Sequence, residues 1–223
     1  QHRVLVAVLD RRFAALTPFM AQFGETPELE RWHTNVLGAV VLRSRSNYNH
    51  LKAAYRSQVE YLAWAVRNLL ELRIWMQYVT TSTENAERFL NDYMIDSEGF
   101  VRGMMGLLKN STERQQDMKT LKQQEQRIAK FRTTYDFRDE TKYLNIGKIA
   151  KFVGWESVFY NLNMILSKLV HLTSLSVMLT LTKEDDLALR SMMMALGCEF
   201  GKGTLDVFAQ RVRAFGMDTS GIE

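Results

Sequence analysis

Two stretches of this 223-residue chain set polar, proton-handling side chains among apolar ones. In the first, Arg67 and Glu71 stand four residues apart, one turn of helix, on a face shared with Trp64, Ile74 and Tyr78. In the second, Asn163, Ser167 and His171 recur every four residues, with Tyr160 about a turn earlier and Leu162, Ile165, Leu166, Leu169 and Val170 as neighbours. A histidine near its ordinary pKa can give or take a proton, and an arginine can hold a phosphate while charge develops on it. RNA cleavage through its own 2′-hydroxyl needs little more. In that chemistry His171 is the proton-transfer group, Arg67 the phosphate clamp and Glu71 its orienter. Tyr78, Tyr160, Asn163 and Ser167 would then supply hydrogen bonds, Ser167 as a donor and not as a nucleophile. The same residues also fit a plain structural role. Arg67 and Glu71 can be an ordinary i,i+4 salt bridge, and the second stripe can be a satisfied network that fixes helix register.

Other chemistries find less support. Ser167 and His171 can touch on one helix, but no pair of backbone donors suggests an oxyanion hole, which disfavours a serine hydrolase. Glu30 and His33 have the Glu-x-x-His spacing of di-iron bundles, yet such sites need two of these pairs and two further glutamates. Gly201, Lys202 and Gly203 suggest a phosphate loop, but no strand precedes them and the P-loop spacing is missing. The single cysteine, Cys198, rules out an internal disulfide and any cysteine-based zinc site. The expectation is therefore no metal and no cofactor.

Helices must position these side chains, because helical spacing of apolar residues runs through nearly the whole chain and strand alternation is scarce. With only Pro18 and Pro27, nothing after residue 27 forbids long helices. The spacing predicts helices over 3–23, 28–42, 48–79, 83–96, 102–135, 147–154, 156–181 and from 183 to between Gly201 and Phe215. The polar run 43–47 is either a break or the wetter end of a continuous helix. Residues 113–130 are so polar that their helix packs along a narrow stripe or projects into solvent. Met192, Met193 and Met194 are expected to fill core gaps or a subunit contact. The fold class is all-α: one domain, a bundle of about six or seven helices. Residues 1–47 supply the N-terminal helices, 48–182 the core bundle with the polar site and 183–223 the C-terminal helix. The helices 48–79 and 156–181 should lie side by side at its centre.

Arg67-x-x-x-Glu71, followed by Tyr160 and Ser167-x-x-x-His171, resembles a bacterial family of all-helical proteins of uncharacterised activity that bears this pattern over roughly residues 48–180. The helix arrangement is also similar to the wider HEPN superfamily, which includes metal-independent ribonucleases of toxin, phage-defence and RNA-processing systems. The resemblance implies a HEPN-like core, RNA binding or cleavage and a homodimer that pools two sites. In those nucleases an arginine lies five to seven residues before the histidine. Here those positions hold Met164, Ile165 and Leu166. The alternative is a non-catalytic bundle that binds a small ligand or a protein partner.

Composition adds bounds and no activity. Hydrophobic residues make up 46% and charged residues 24%, average for globular proteins, which argues against disorder. The net charge of +4 comes from residues 101–150, whose 11 basic side chains face 6 acidic ones. Such an interleaved excess fits a solvated helix face better than a phosphate-binding surface. The longest strongly apolar stretch, residues 169–182, is shorter than the roughly 20 residues a spanning helix needs. The expectation is a cytoplasmic protein that does not enter membranes.

Overall fold

A computed structural model describes residues 2–24, 31–109, 114–135, 143–171, 178 and 180–223. The chain is all-helical, with eight helices and no strand among the described residues. They are α1 (His2–Phe23), α2 (Arg31–Ala54), α3 (Val59–Thr81), α4 (Thr83–Leu108), α5 (Gln115–Tyr135), α6 (Ile146–Phe152), α7 (Glu156–Val170) and α8 (Lys183–Arg213). Six or seven helices were expected. None of the eight is long and apolar enough to cross a membrane.

The chain clusters into two compact units. One joins residues 1–83 to 145–223, and the other comprises residues 84–144. The smaller unit is thus an excursion between α3 and α6.

In the larger unit α3 is the central helix, packed against α2, α6, α7 and α8. Leu62, Ala63, Ala65, Val66, Leu69, Leu70, Ile74 and Met76 on it are completely buried. That explains why its apolar residues wrap most of the way round instead of forming one stripe. α8 starts on a good cap: the Thr182 hydroxyl accepts from the Asp185 N–H at 3.1 Å, and Glu184, Asp185 and Asp186 sit at the positive end of the dipole. It then runs through Gly197, Gly201 and Gly203 without a break.

Three helix boundaries differ from the sequence reading, at 55–58 and at the ends of α4 and α7, and one stretch that it left open is decided. The polar run 43–47 is continuous helix. Asn47 is buried there, donating to the Arg43 carbonyl at 2.9 Å and accepting from Asn68 of α3 at 3.0 Å. The break comes instead at residues 55–58, so 48–79 is not one helix. Arg190 of α8 stabilises it by donating to the carbonyls of Tyr55 at 3.2 Å and Ser57 at 2.5 Å, which a helix end would leave open. α4 runs past Gly99 to Leu108, and α7 stops at Val170. The expected continuation of α7 through 172–177 lies outside the described residues, as do Glu30 and the turn at 136–140.

The smaller unit is built differently. α4 buries Leu90, Met94, Val101 and Leu108 along one stripe, and Arg132 of α5 reaches Glu98 of α4 at 3.2 Å. On α5 only Met118, Leu121, Ile128, Phe131 and Arg132 are even half-buried among the residues whose side chains are described. That is the solvated helix with a narrow stripe expected from its composition.

Candidate functional site

The two polar stripes meet where α3 packs on α7. Two contacts fix the register. Val59 and Glu60 line a cavity with Leu169, and the Tyr78 ring meets the Phe152 ring edge-on at 5.8 Å. The start of α3 therefore lies beside the end of α7 and the end of α3 beside α6, so the two helices run antiparallel with residue numbers that sum to about 230. Arg67 then lies level with Asn163, and Glu71 with Phe159.

The geometry within each stripe is local. Arg67 Nε donates to Glu71 Oε1 at 3.1 Å, with both side chains about one quarter exposed. Ser167 donates to Asn163 Oδ1 at 3.4 Å, again one turn away on its own helix. Among the described residues no hydrogen bond crosses from the α3 pair to the α7 pair. Both pairs are half-buried, so water reaches them and neither leaves a stranded charge.

His171 is not on the helix. It is the residue that ends α7, with extended backbone (φ −92°, ψ 148°), and its N–H donates to the Ser167 carbonyl at 3.0 Å. Its side chain is exposed. In the antiparallel register it lies level with the first residues of α3, about 12 Å along the axis from Arg67. The bond from Arg67 to Glu71 also draws the guanidinium toward the far end of α3, away from His171. Tyr160 is 67% exposed and points off the packed face, whereas Tyr78 is buried between the rings of Trp75 and Phe152. The stripe is thus divided. Arg67 and Asn163 lie at one level with Glu71 and Ser167 a turn away in opposite directions, Tyr78 lies at the far end, and Tyr160 and His171 face solvent.

A second polar cluster, not anticipated from the sequence, lies on the other side of α3. Arg73 Nη1 donates to the Gly203 carbonyl of α8 at 2.5 Å, and its guanidinium stacks over the Trp155 ring at 5.6 Å. Burial pushes the Arg73 pKa down, and Asp206 partly opposes that shift. Nearby, Gln77 Nε2 donates to the Val153 carbonyl at 3.4 Å. The glycine itself was the available signal: a side chain on Gly203 would fall 2.7 Å from Arg73 Nε, so only glycine lets this arginine close on the helix.

The remaining candidates have structural settings. His33 is buried and stacked on Trp32. Gly201, Lys202 and Gly203 lie inside α8, where Lys202 reaches Asp206 at 3.6 Å, so they form no loop. Met193 and Met194 are core residues. No group of three His, Cys, Asp or Glu side chains that could hold a metal gathers among the described residues. Scans against family models, curated proteins and solved structures give no match to this chain.

Proposed function

We propose that the chain is a non-catalytic helical bundle that binds a small ligand or protein partner, with the Arg67–Glu71 and Asn163–Ser167 pairs fixing the register of α3 on α7. The observation that carries this reading is the direction of Arg67, whose Nε bonds Glu71 one turn further from His171. A phosphate clamp and a proton-transfer group must converge on one group, and these two diverge. A cytoplasmic location goes with this reading.

A HEPN-like reading, RNA binding or metal-independent cleavage in a defence or toxin setting with a homodimer pooling two sites, remains the second. The feature that favours it is the exposure of His171, on extended backbone at a helix end beside the equally accessible α7 face that carries Tyr160. Incubating the protein with mixed RNA without added metal, wild type beside His171→Ala, separates the two. The bundle reading expects intact RNA in both. Cleavage by the wild type that His171→Ala abolishes overturns it. Light scattering at micromolar concentration tests the homodimer.

A further inference from the structure

The outer face of α5 carries charge of one sign. Bases and acids are interleaved along its sequence, but the helix sorts them. Lys119, Lys122, Arg127 and Lys130 fall within about 140° of its circumference. Asp117 and Glu125 are on the other side, in line with the half-buried Leu121, Ile128 and Arg132. Of these, Asp117 stands in the first turn, where the positive end of the dipole answers it, and Arg132 is paired with Glu98 at 3.2 Å. The four bases of the outer face are all exposed, and none joins an ion pair among the described residues. Gln123 and Gln126 lie between them, exposed and uncharged.

Lys119 with Lys122, and Arg127 with Lys130, are like charges three residues apart, a spacing that weakens a helix until an anion lies across each pair. The row is straight and about 16 Å long, so a compact anion would answer only part of it. A nucleic-acid duplex presents one phosphate per strand about every 3.4 Å along its axis, and about five of them face such a row. A single strand is the poorer fit, because its binding sites add aromatic rings for the bases and no described side chain on this face is aromatic. A membrane surface is poorer still. A helix that lies on lipid turns apolar side chains into it, and those of α5 are half-buried on the opposite side.

We propose that the outer face of α5 docks on the phosphate backbone of a nucleic-acid duplex. Lys119, Lys122, Arg127 and Lys130 each meet a phosphate, and Gln123 and Gln126 offer amide donors between them. No base is read, so binding is insensitive to sequence. The inference uses no residue of the α3–α7 face and holds under either reading of that face.

The full chain is titrated into a fluorescently labelled DNA duplex of arbitrary sequence, about two helical turns long, and followed by anisotropy. The dissociation constant should be micromolar, roughly 1–100 µM at about 100 mM salt, and should weaken with salt at a log–log slope of about 3–4 for four phosphate contacts. Lys119→Gln with Lys130→Gln, which keeps helix propensity, should weaken binding about tenfold or more and cut the slope to about 2, at an unchanged melting temperature. Lys122→Gln with Arg127→Gln should do the same, so that one variant that fails to fold does not decide the matter. Arg3→Glu with Arg11→Glu changes two exposed bases of α1 and shifts the net charge further, and should weaken binding much less than either α5 pair. Unlabelled duplex should displace the probe better than a single strand or phosphatidylserine vesicles at equal phosphate concentration. The proposal is overturned by the lack of saturable binding up to about 200 µM protein, by an unchanged slope in the α5 variants, or by an equal loss in the α1 variant. Displacement by single strand or vesicles as strong as by duplex overturns it too.

Discussion

Glycines within α8 and within α4 sit in similar helical positions for opposite reasons. On α8, a side chain at Gly197 would lie 2.6 Å from Leu51 Cδ2, and one at Gly203 would lie 2.7 Å from Arg73 Nε. On α4, a side chain at Gly103 or Gly106 would meet nothing within 4 Å. The α8 glycines allow helices to approach until another residue fills the space. The α4 glycines only weaken a helix that water surrounds on that side. The larger unit is thus held by close approach around α3, and the smaller by a stripe and an ion pair. Phe100 and Leu107 on α4 remain mostly exposed, at 68% and 79%. A helix-interior glycine therefore reports packing only when its neighbours are known.

The sharpest contrast comes from removing core volume. Leu69 is fully buried on α3, and Leu69→Ala should cost about 2–5 kcal/mol, since little around a completely enclosed helix can collapse into the space. Leu121 on α5 is only half-buried, and Leu121→Ala should cost about 1 kcal/mol. Urea unfolding of both variants measures the difference. Equal losses would break the distinction between the units.

Alkaline pH should act on the larger unit next. Burial pushes the Cys198 thiol up from 9.0 to about 12, and burial with the nearby Asp10 carboxylate raises the Tyr48 hydroxyl above its ordinary 10.0. A pKa raised on folding means that the folded state binds the proton more tightly. Stability is therefore fully present below the unfolded pKa and drains as pH climbs through the window above it, here from 9.0 toward about 12 for the thiol. Melting temperature should fall progressively above pH 9, and Cys198→Ala should flatten the first part of that fall. A Cys198→Ala profile that superimposes on the wild type would remove the thiol from the account.

The glycines themselves make a smaller and signed test. Gly106→Ala should stabilise the protein by about 0.5–1 kcal/mol, the ordinary gain of alanine over glycine in an open helix. Gly197→Ala gains the same propensity but must displace the fully buried Leu51, and overpacking of about 1–3 kcal/mol should outweigh it. Opposite signs in paired thermal melts support the comparison. A stabilising Gly197→Ala would mean that Leu51 yields easily.

Much of this was legible from residue types, and the failures have a common cause. The all-α class, the polarity of α5, the acidic cap of α8 and the adjacency of α3 and α7 follow from periodicity and local chemistry. The break at 55–58 was missed because Arg190, more than 130 residues away, satisfies the carbonyls it opens. The continuity of 43–47 is open in the sequence because its polar side chains are answered from other helices, Arg45 by Thr17 of α1 and Asn47 by Asn68 of α3, which no local pattern reveals. The same limit applies to the site. Four-residue spacing placed Ser167 and His171 on one face, but that argument holds only while the helix lasts, and α7 ends one residue short of His171. Spacing also could not tell that Arg73, two residues beyond Glu71, is the arginine that closes on α8.

Arg67→Ala is the smallest effect and the most informative. The sequence suggested a pair buried deeply enough to strand a carboxylate, which would cost about 3–5 kcal/mol. The two side chains instead keep 28% and 26% of their surface in contact with water, so solvent screens the pair and can solvate Glu71 once Arg67 is gone. The pair also sits one turn apart on a single helix, where such bridges contribute about 0.3–0.5 kcal/mol. To that is added the loss of the half-buried arginine stem, so the whole substitution should cost about 1 kcal/mol. Glu71→Gln, which keeps the shape and removes the charge, should cost less than about 0.5 kcal/mol. A loss near 4 kcal/mol for Arg67→Ala would mean that the pair is closed to water in solution and that α3 is sealed on this side as tightly as on its α8 side. A loss near 1 kcal/mol, with the α7 amides of Asn163 and Ser167 exchanging faster, would fit a register pin that positions one helix on its neighbour without holding the core together.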